Sequence, residues 1–157
     1  MYADDHQLYI TGKSYDTVET QLKQQGEFAT AWYKDNFLLA NPDKYQLLTI
    51  NPRNLDATNS GKVLNIDDQE IKKTKEIKLL GVIIDEHLNF TNHISDVCTK
   101  ASQKIGVLTR LRNLIPQEAK LTLYKSSVLP YLTYCHLVWT SSCKSSDSRK
   151  IERLQER

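Results

Sequence analysis

The sequence predicts an α+β fold, with a mixed first part over residues 1–90 and an all-helical second part over residues 91–157. Before Phe90, β-branched and aromatic runs surround one long stretch of helical spacing, whereas afterwards apolar residues recur only every three or four positions. A length of 157 residues, of which 39% are hydrophobic, suffices for one domain with a modest core.

The mixed part begins with a strand and a long helix. The run Leu8–Thr11 is β-branched and aromatic, so it predicts a short strand after a turn. Asp16 and Glu19 have the spacing of a capping box, and apolar residues then follow at helical intervals. We therefore expect a helix of about 20 residues, ended by the turn sequence at Asn41-Pro42-Asp43.

Short strands and turns fill the rest of the mixed part. Tyr45–Ile50 predicts a strand, and residues 51–62 are polar enough for a loop. Three further strands are expected, at Val63–Asp67, Glu70–Lys73 and Ile77–Asp85. Gly81 interrupts the last and most apolar of these, which indicates a sharp turn or a close backbone approach.

Helical signals dominate after Phe90. Thr91 can cap a helix with an apolar face, and Pro116 marks the start of the next one. The apolar stretch Leu129–Trp139 predicts a buried helix that begins near Pro130. Asp147 can cap a last segment, which runs to the end of the chain without a stop signal.

Composition argues against secreted, membrane and zinc-binding classes. No apolar run approaches the roughly 18 residues of a membrane span. The N-terminus carries Asp4 and Asp5, whereas a secretory signal starts with basic residues and an apolar stretch. The three cysteines are Cys98, Cys135 and Cys143, which lack metal-site spacing and fit reduced thiols. We expect an intracellular protein, either nuclear or cytoplasmic, with no membrane partner.

The net charge of +2 is unevenly spread. Residues 1–78 have a net charge of −2 and residues 79–157 one of +4, which rises to +6 when counted from Asn92 onward. A basic half is typical of proteins that contact a phosphate backbone. A solvated helical face is the structural alternative.

Asp4 and Asp5 are the most informative polar residues. They lie between Tyr2-Ala3 and a β-forming run, and a tight turn there lets both carboxylates face one site. Paired carboxylates suit Mg²⁺, and two such ions, about 3.5–4 Å apart, can activate one oxygen and stabilise another. An exposed acidic turn is the alternative.

These residues also carry a family resemblance. Tyr2-Ala3-Asp4-Asp5 resembles the Tyr/Phe-x-Asp-Asp box of reverse transcriptases, and the following Gln7-Leu8-Tyr9 resembles its version in jockey-like LINE retrotransposons, which lack long terminal repeats. Further resemblances follow in the family's order along nearly the whole chain: Asn41-Pro42-Asp43-Lys44, the Lys78–Asp85 "primer grip" segment, His93-Ile94, Lys100-Ala101, Leu108–Leu111, Tyr124–Ser126, Leu129–Tyr134, Trp139 and Ile151–Arg157.

The resemblance implies a fold of two polymerase parts. Residues 1–90 would be the C-terminal part of the palm, with short antiparallel strands, one long helix and the primer-grip hairpin. Residues 91–157 would be a helical thumb, truncated at its C-terminus. The implied activity is RNA-directed DNA polymerisation, with an RNA template, a DNA primer and deoxynucleoside triphosphates as partners.

The resemblance also implies residue roles. Asp4 would be the principal ligand of Mg²⁺ or Mn²⁺, with Asp5 as its partner, and Tyr2 would pack beside the primer terminus. Lys44 would lie near the leaving pyrophosphate, where a cation offsets developing charge. Primer and template would also be held by Leu80, Gly81, Lys100, Lys104, Arg110 and Arg112.

Other functions remain open at this point. In the family, a third carboxylate and the nucleotide-binding half lie upstream of this box, so we expect the chain alone to be inactive. A non-catalytic nucleic-acid-binding module or an inert retroelement remnant fits the same sequence. A metal phosphodiesterase built on Asp4, Asp5 and His6 would need more His and Asp clusters than this chain has.

Overall fold

The computed structural model describes residues 6–50, 63–67 and 69–156. The chain divides into two compact units, with described residues up to Thr49 and from 63 to Lys75 in the first. The second contains, of the described residues, Ile50 and residues 76–156. The division therefore falls at residue 75, whereas the sequence placed the change in character at residue 90. The mixture of helices and short strands agrees with the α+β class.

The first unit is one long helix over small two-stranded pairings. Helix α1 spans Tyr15–Asp35, and a 3-10 turn follows at Pro42–Lys44. The strands are β1 (Leu47–Leu48), β2 (Leu64–Ile66), β3 (Gln69–Ile71) and β4 (Lys73–Thr74). β1 pairs with β4 in parallel, and β2 pairs with β3 antiparallel.

A glycine brings α1 against the sheet residues. Gly26 is the buried residue of α1, and a Cβ atom placed there would lie 3.2 Å from Cγ1 of Ile66. Ile66 forms a small core with Leu64 and Ile71, and Leu22 of α1 packs against it. The absence of a side chain at Gly26 thus lets the backbone of α1 lie close to Ile66.

The structure corrects two strand predictions in the first unit. Leu8–Thr11 forms no strand and is mostly exposed, and only Leu47–Leu48 of the expected strand Tyr45–Ile50 is extended and paired. A β-forming run becomes a strand only where a partner offers backbone groups, and the described ranges offer none to Leu8–Thr11. The long helix and the turn at Asn41-Pro42-Asp43 are confirmed, but α1 already ends at Asp35, before the turn that was expected to end it.

The second unit is a hairpin followed by helices. The hairpin consists of the antiparallel strands β5 (Glu76–Leu79) and β6 (Val82–Asp85). The helices are α2 (Thr91–Leu111), α3 (Gln117–Ser127), α4 (Leu129–Thr133), α5 (His136–Trp139) and α6 (Ser145–Gln155). Within the described ranges, no helix is long and apolar enough to cross a membrane.

Two buried clusters form the core of the second unit. One joins α2 to α4 and α6 through Val97, Ala101, Val128, Leu132 and Leu154. The other joins the hairpin to α2 and α5 through Val82, Phe90, Ile94 and Trp139. The hairpin therefore shares its core with the helices.

The structure also corrects four predictions in the second unit. Ile77–Asp85 is a hairpin, as the family resemblance implied, and not the single strand that its composition predicted. Leu129–Trp139 is two short, mostly exposed helices, because Tyr134 is extended and Cys135 is left-handed with φ of 50°. Both predicted helix caps are wrong: Thr91 is the first residue of α2 and Asp147 lies in the first turn of α6, and neither helix has a side-chain capping hydrogen bond.

Candidate nucleic-acid interface

The tip of the β5–β6 hairpin has an unusual backbone. Leu80 and Gly81 connect the strands with φ angles of 45° and 87°. Positive φ at both central residues is typical of a tight type I′ turn, which normally uses Asn or Gly. Gly81 meets this demand easily, whereas a bulky residue such as Leu80 is strained there. Leu80 is nevertheless 44% exposed, so no burial of its side chain explains its position.

Tyr134 supports this tip from the break between α4 and α5. Its hydroxyl donates a hydrogen bond to the carbonyl oxygen of Leu80 at 2.6 Å. A Cβ atom placed at Gly81 would lie 3.5 Å from Cε1 of Tyr134, so the ring lies beside the glycine. The strained turn is thus held by a hydrogen bond between residues 54 positions apart in sequence.

Two buried rings, those of Trp139 and His93, connect Tyr134 to strand β6. Trp139 donates from Nε1 to the carbonyl oxygen of Tyr134 at 2.9 Å. The ring of His93 meets that of Trp139 edge to face, with centroids 5.8 Å apart. Nδ1 of His93 accepts a long hydrogen bond of 3.4 Å from the backbone N–H of Ile83. We call Tyr134, Trp139 and His93 the hairpin clamp, because they contact the hairpin at both its tip and β6.

The clamp requires an uncharged histidine. His93 is 3% exposed, and this burial lowers its pKa, an effect that nearby Asp96 opposes and Lys100 reinforces. Because Nδ1 accepts the Ile83 N–H, the proton of the neutral ring is on Nε2. Nε2 is buried without a hydrogen-bond partner among the described residues.

We expect acid to weaken the second unit through His93. The unfolded chain protonates this residue near the ordinary pKa of about 6.5, and the folded chain does so only at lower pH. Stability therefore falls as pH drops below about 6.5 and stops falling below the folded pKa. Urea unfolding at a series of pH values from neutral to mildly acidic should show this slope, the decrease of the free energy of unfolding with falling pH. His93→Phe should flatten it, whereas His136→Phe, at an exposed histidine, should keep it.

Asp85 closes the hairpin at the end of β6. Its Oδ1 accepts from the backbone N–H groups of His87 and Asn89, and its Oδ2 accepts from that of Phe90 at 2.7 Å. Burial alone would raise the pKa of Asp85, but the three backbone hydrogen bonds outweigh it and hold the pKa below its ordinary value. The carboxylate thereby fixes the connection from the hairpin to α2.

Lys44 lies at the end of the 3-10 turn in the first unit. Asn41 starts this turn, since its side-chain oxygen accepts the backbone N–H of Asp43 at 3.0 Å. The backbone N–H of Lys44 then donates to the carbonyl oxygen of Asn41 at 3.1 Å. The Lys44 side chain is exposed on this hydrogen-bonded turn, where it can contact an anionic ligand.

The predicted backbone-binding cations lie along α2 and just after it. Lys100 pairs with Asp96 at 2.7 Å, one turn earlier on the helix. Lys104, Arg110 and Arg112 are exposed. Helical spacing places Lys100 and Lys104 on one side of α2. These side chains can contact phosphates by charge, although Lys100 already has a carboxylate partner.

The predicted metal ligands Asp4 and Asp5, and the primer-contacting Tyr2, lie outside the described residues. Within the ranges that are described, no three His, Cys, Asp or Glu side chains are grouped to hold a metal ion. The chemistry of two carboxylates side by side still suits Mg²⁺ or Mn²⁺.

Sequence reasoning gave no individual role to three residues that shape this surface, Tyr134, His93 and Asp85, although each lies in a segment that resembles the family. The Asp85 hydrogen bonds have a local signal, because Asp at the end of a strand commonly binds backbone N–H groups two or more positions ahead. Tyr134 and His93 have no such signal, since their partners are distant in sequence.

Comparison with known proteins supports the family resemblance. Over 157 residues, covering 98% of this chain, the sequence is 26% identical to the "RNA-directed DNA polymerase from mobile element jockey" of Drosophila melanogaster. The chain is thus similar to an RNA-directed DNA polymerase of the jockey mobile element. Over 95 residues, covering 59% of the chain, it is also 27% identical to the "Probable RNA-directed DNA polymerase from transposon X-element" of the same organism.

The chain corresponds to a small part of these reverse transcriptases. It spans 17% of the length of the jockey polymerase and 10% of that of the X-element polymerase. No family model matches the chain, and no solved structure matches it.

Proposed function

We propose that the chain is the primer-holding part of an RNA-directed DNA polymerase. Residues 1–90 would be the end of the palm with the primer grip at Leu80–Gly81, and residues 91–157 would be the thumb. The observation that carries this proposal is similarity to the jockey polymerase along 98% of the chain. A tight turn with backbone strain at an exposed position also suits a segment that must approach nucleic acid closely.

The proposed reaction belongs to the longer enzyme. There, a primer 3′ hydroxyl would attack a deoxynucleoside triphosphate opposite an RNA template and release pyrophosphate. Asp4 and Asp5 would hold Mg²⁺ or Mn²⁺, which activates the hydroxyl and stabilises the leaving group. Lys44 would offset charge on the pyrophosphate, and Tyr2 would pack beside the primer terminus.

The second candidate is a nucleic-acid-binding module without catalysis. The charge of the helical half, +6 from Asn92 onward, favours it for this chain by itself. We therefore expect the 157-residue chain to bind a DNA primer on an RNA template without extending it. Extension of a labelled primer by the purified chain, with Mg²⁺ and all four triphosphates present, would contradict this expectation.

Binding to the hybrid should depend on salt through the α2 cations. A variant with Lys100, Lys104, Arg110 and Arg112 all replaced by alanine should bind more weakly at every salt concentration. The slope of log affinity against log salt should become shallower by about 0.7–0.9 for each phosphate that the variant no longer neutralises. Fluorescence anisotropy of a labelled hybrid across a salt series measures both quantities.

A control variant that loses the same number of positive charges tests whether binding depends on these particular cations or only on the net charge of the chain. It replaces four exposed lysines of the first unit by alanine: Lys13, Lys23, Lys72 and Lys75. The control should keep most of the wild-type slope. Equal effects of the two variants would show that the cations of α2 are not the binding surface, and no binding by the wild type would refute the proposed function.

A further inference from the structure

The hairpin tip is a strained structure that needs support. Leu80 adopts φ of 45° although its side chain is bulky and exposed. Such conformations persist where the surrounding structure determines them. The side chain of Leu80 is 44% exposed, so its own packing contributes little to holding the backbone in this conformation.

Tyr134 supplies a hydrogen bond directly at the strained residue. Its hydroxyl donates to the Leu80 carbonyl at 2.6 Å, and its ring lies beside Gly81. The ring is itself placed by the rest of the clamp, because Trp139 donates to the Tyr134 carbonyl at 2.9 Å and is almost fully buried. The tip is thereby connected to the largest fully buried side chain among the described residues.

We propose that Tyr134 is a positioning residue that fixes the hairpin tip, and through it the primer 3′ end. The inference rests on the proposed function, in which Leu80–Gly81 is the primer grip. Tyr134 acts through the Leu80 carbonyl and does not itself react. Loss of its hydroxyl frees the tip without removing any cation that binds the phosphate backbone.

The test compares Tyr134→Phe with the wild type and with Tyr131→Phe. Phenylalanine keeps the ring and removes only the hydroxyl, and Tyr131 lies on the neighbouring helix α4. The first readout is amide hydrogen exchange of residues 79–83 in the free protein. We expect about five-fold faster exchange in Tyr134→Phe, which corresponds to the loss of one hydrogen bond. Tyr131→Phe should exchange at the wild-type rates.

The second readout reports the primer terminus. A DNA primer ending in 2-aminopurine is annealed to an RNA template, and its fluorescence is followed as protein is added. Tyr134→Phe should keep the affinity within about two-fold, since the charged side chains are intact, but should lose most of the fluorescence change at the terminus. Tyr131→Phe should match the wild type in both.

The possible results distinguish a failure of this inference from a failure of the proposed function. Unchanged exchange in Tyr134→Phe, or an unchanged terminal signal at full binding, would overturn the positioning role while leaving hybrid binding in place. If the wild type does not bind the hybrid, the proposed function and the primer half of the inference both fall. The exchange rates would then still decide whether Tyr134 fixes the tip.

Discussion

Replacing Trp139 with alanine is expected to lower the free energy of unfolding of the second unit by about 3–5 kcal/mol. Trp139 is 1% exposed and is the largest fully buried side chain among the described residues. It packs with Val82, Phe90 and Ile94, so its removal leaves a cavity where the hairpin meets the helices. The substitution also takes away the indole donor to the Tyr134 carbonyl.

Urea unfolding followed by far-ultraviolet circular dichroism measures this loss. Trp32→Ala is the matched control, because Trp32 lies on α1 of the first unit and is 46% exposed. The control should cost less, about 2 kcal/mol, because only about half of the Trp32 side chain is removed from water. Equal losses in the two variants would contradict the burial that places Trp139 at the centre of the clamp.

Replacing Asp85 with alanine is expected to cost about 2–3 kcal/mol at neutral pH. The carboxylate accepts three backbone N–H groups, those of His87, Asn89 and Phe90. Alanine leaves these donors without their charged acceptor where two of them are partly buried. Urea unfolding measures the loss, and Glu118→Ala, at an exposed residue in the first turn of α3, provides a control in the same unit.

The Asp85 effect should depend on pH in a defined direction. The folded pKa of Asp85 is lowered, so its stabilisation is fully present above the unfolded value of about 3.9. It is lost as pH falls through the folded pKa, because protonation removes the charged acceptor. The difference between wild type and Asp85→Ala should therefore shrink in acid. A difference that stays constant down to strongly acidic pH would contradict the role of the charge.

Local signals were sufficient to predict the long helices. Pro116 directly precedes α3, as expected, whereas the predicted cap of α1 is wrong, because α1 begins at Tyr15 and Asp16 and Glu19 lie inside the helix. Helical hydrogen bonds close within four residues, so the sequence nearby determines them. The strand prediction for Leu8–Thr11 was wrong for the converse reason, since a strand depends on a partner that local sequence does not specify.

The residues of the candidate site show the same difference between local and long-range determinants. Gly81 was identified as a turn or close approach because glycine has an intrinsic conformational freedom, and its φ of 87° uses it. Tyr134 was not identified, because its role depends on an interruption inside a stretch that predicts one continuous helix. That interruption turns Tyr134 toward Leu80 and Trp139, which only the tertiary structure brings within reach.

The two-residue turn makes the β5–β6 hairpin a stiff lever. Its four-residue strands span about 13 Å from the base of the hairpin, at Glu76 and Asp85, to the tip, at the usual rise per residue. A tilt of about 5° at the base would therefore shift the tip by about 1 Å, and a misplacement of that size can cost about 100-fold in rate where reacting groups must align. A substitution deep in the helical unit can thus displace the hairpin tip although every residue of the tip is unchanged.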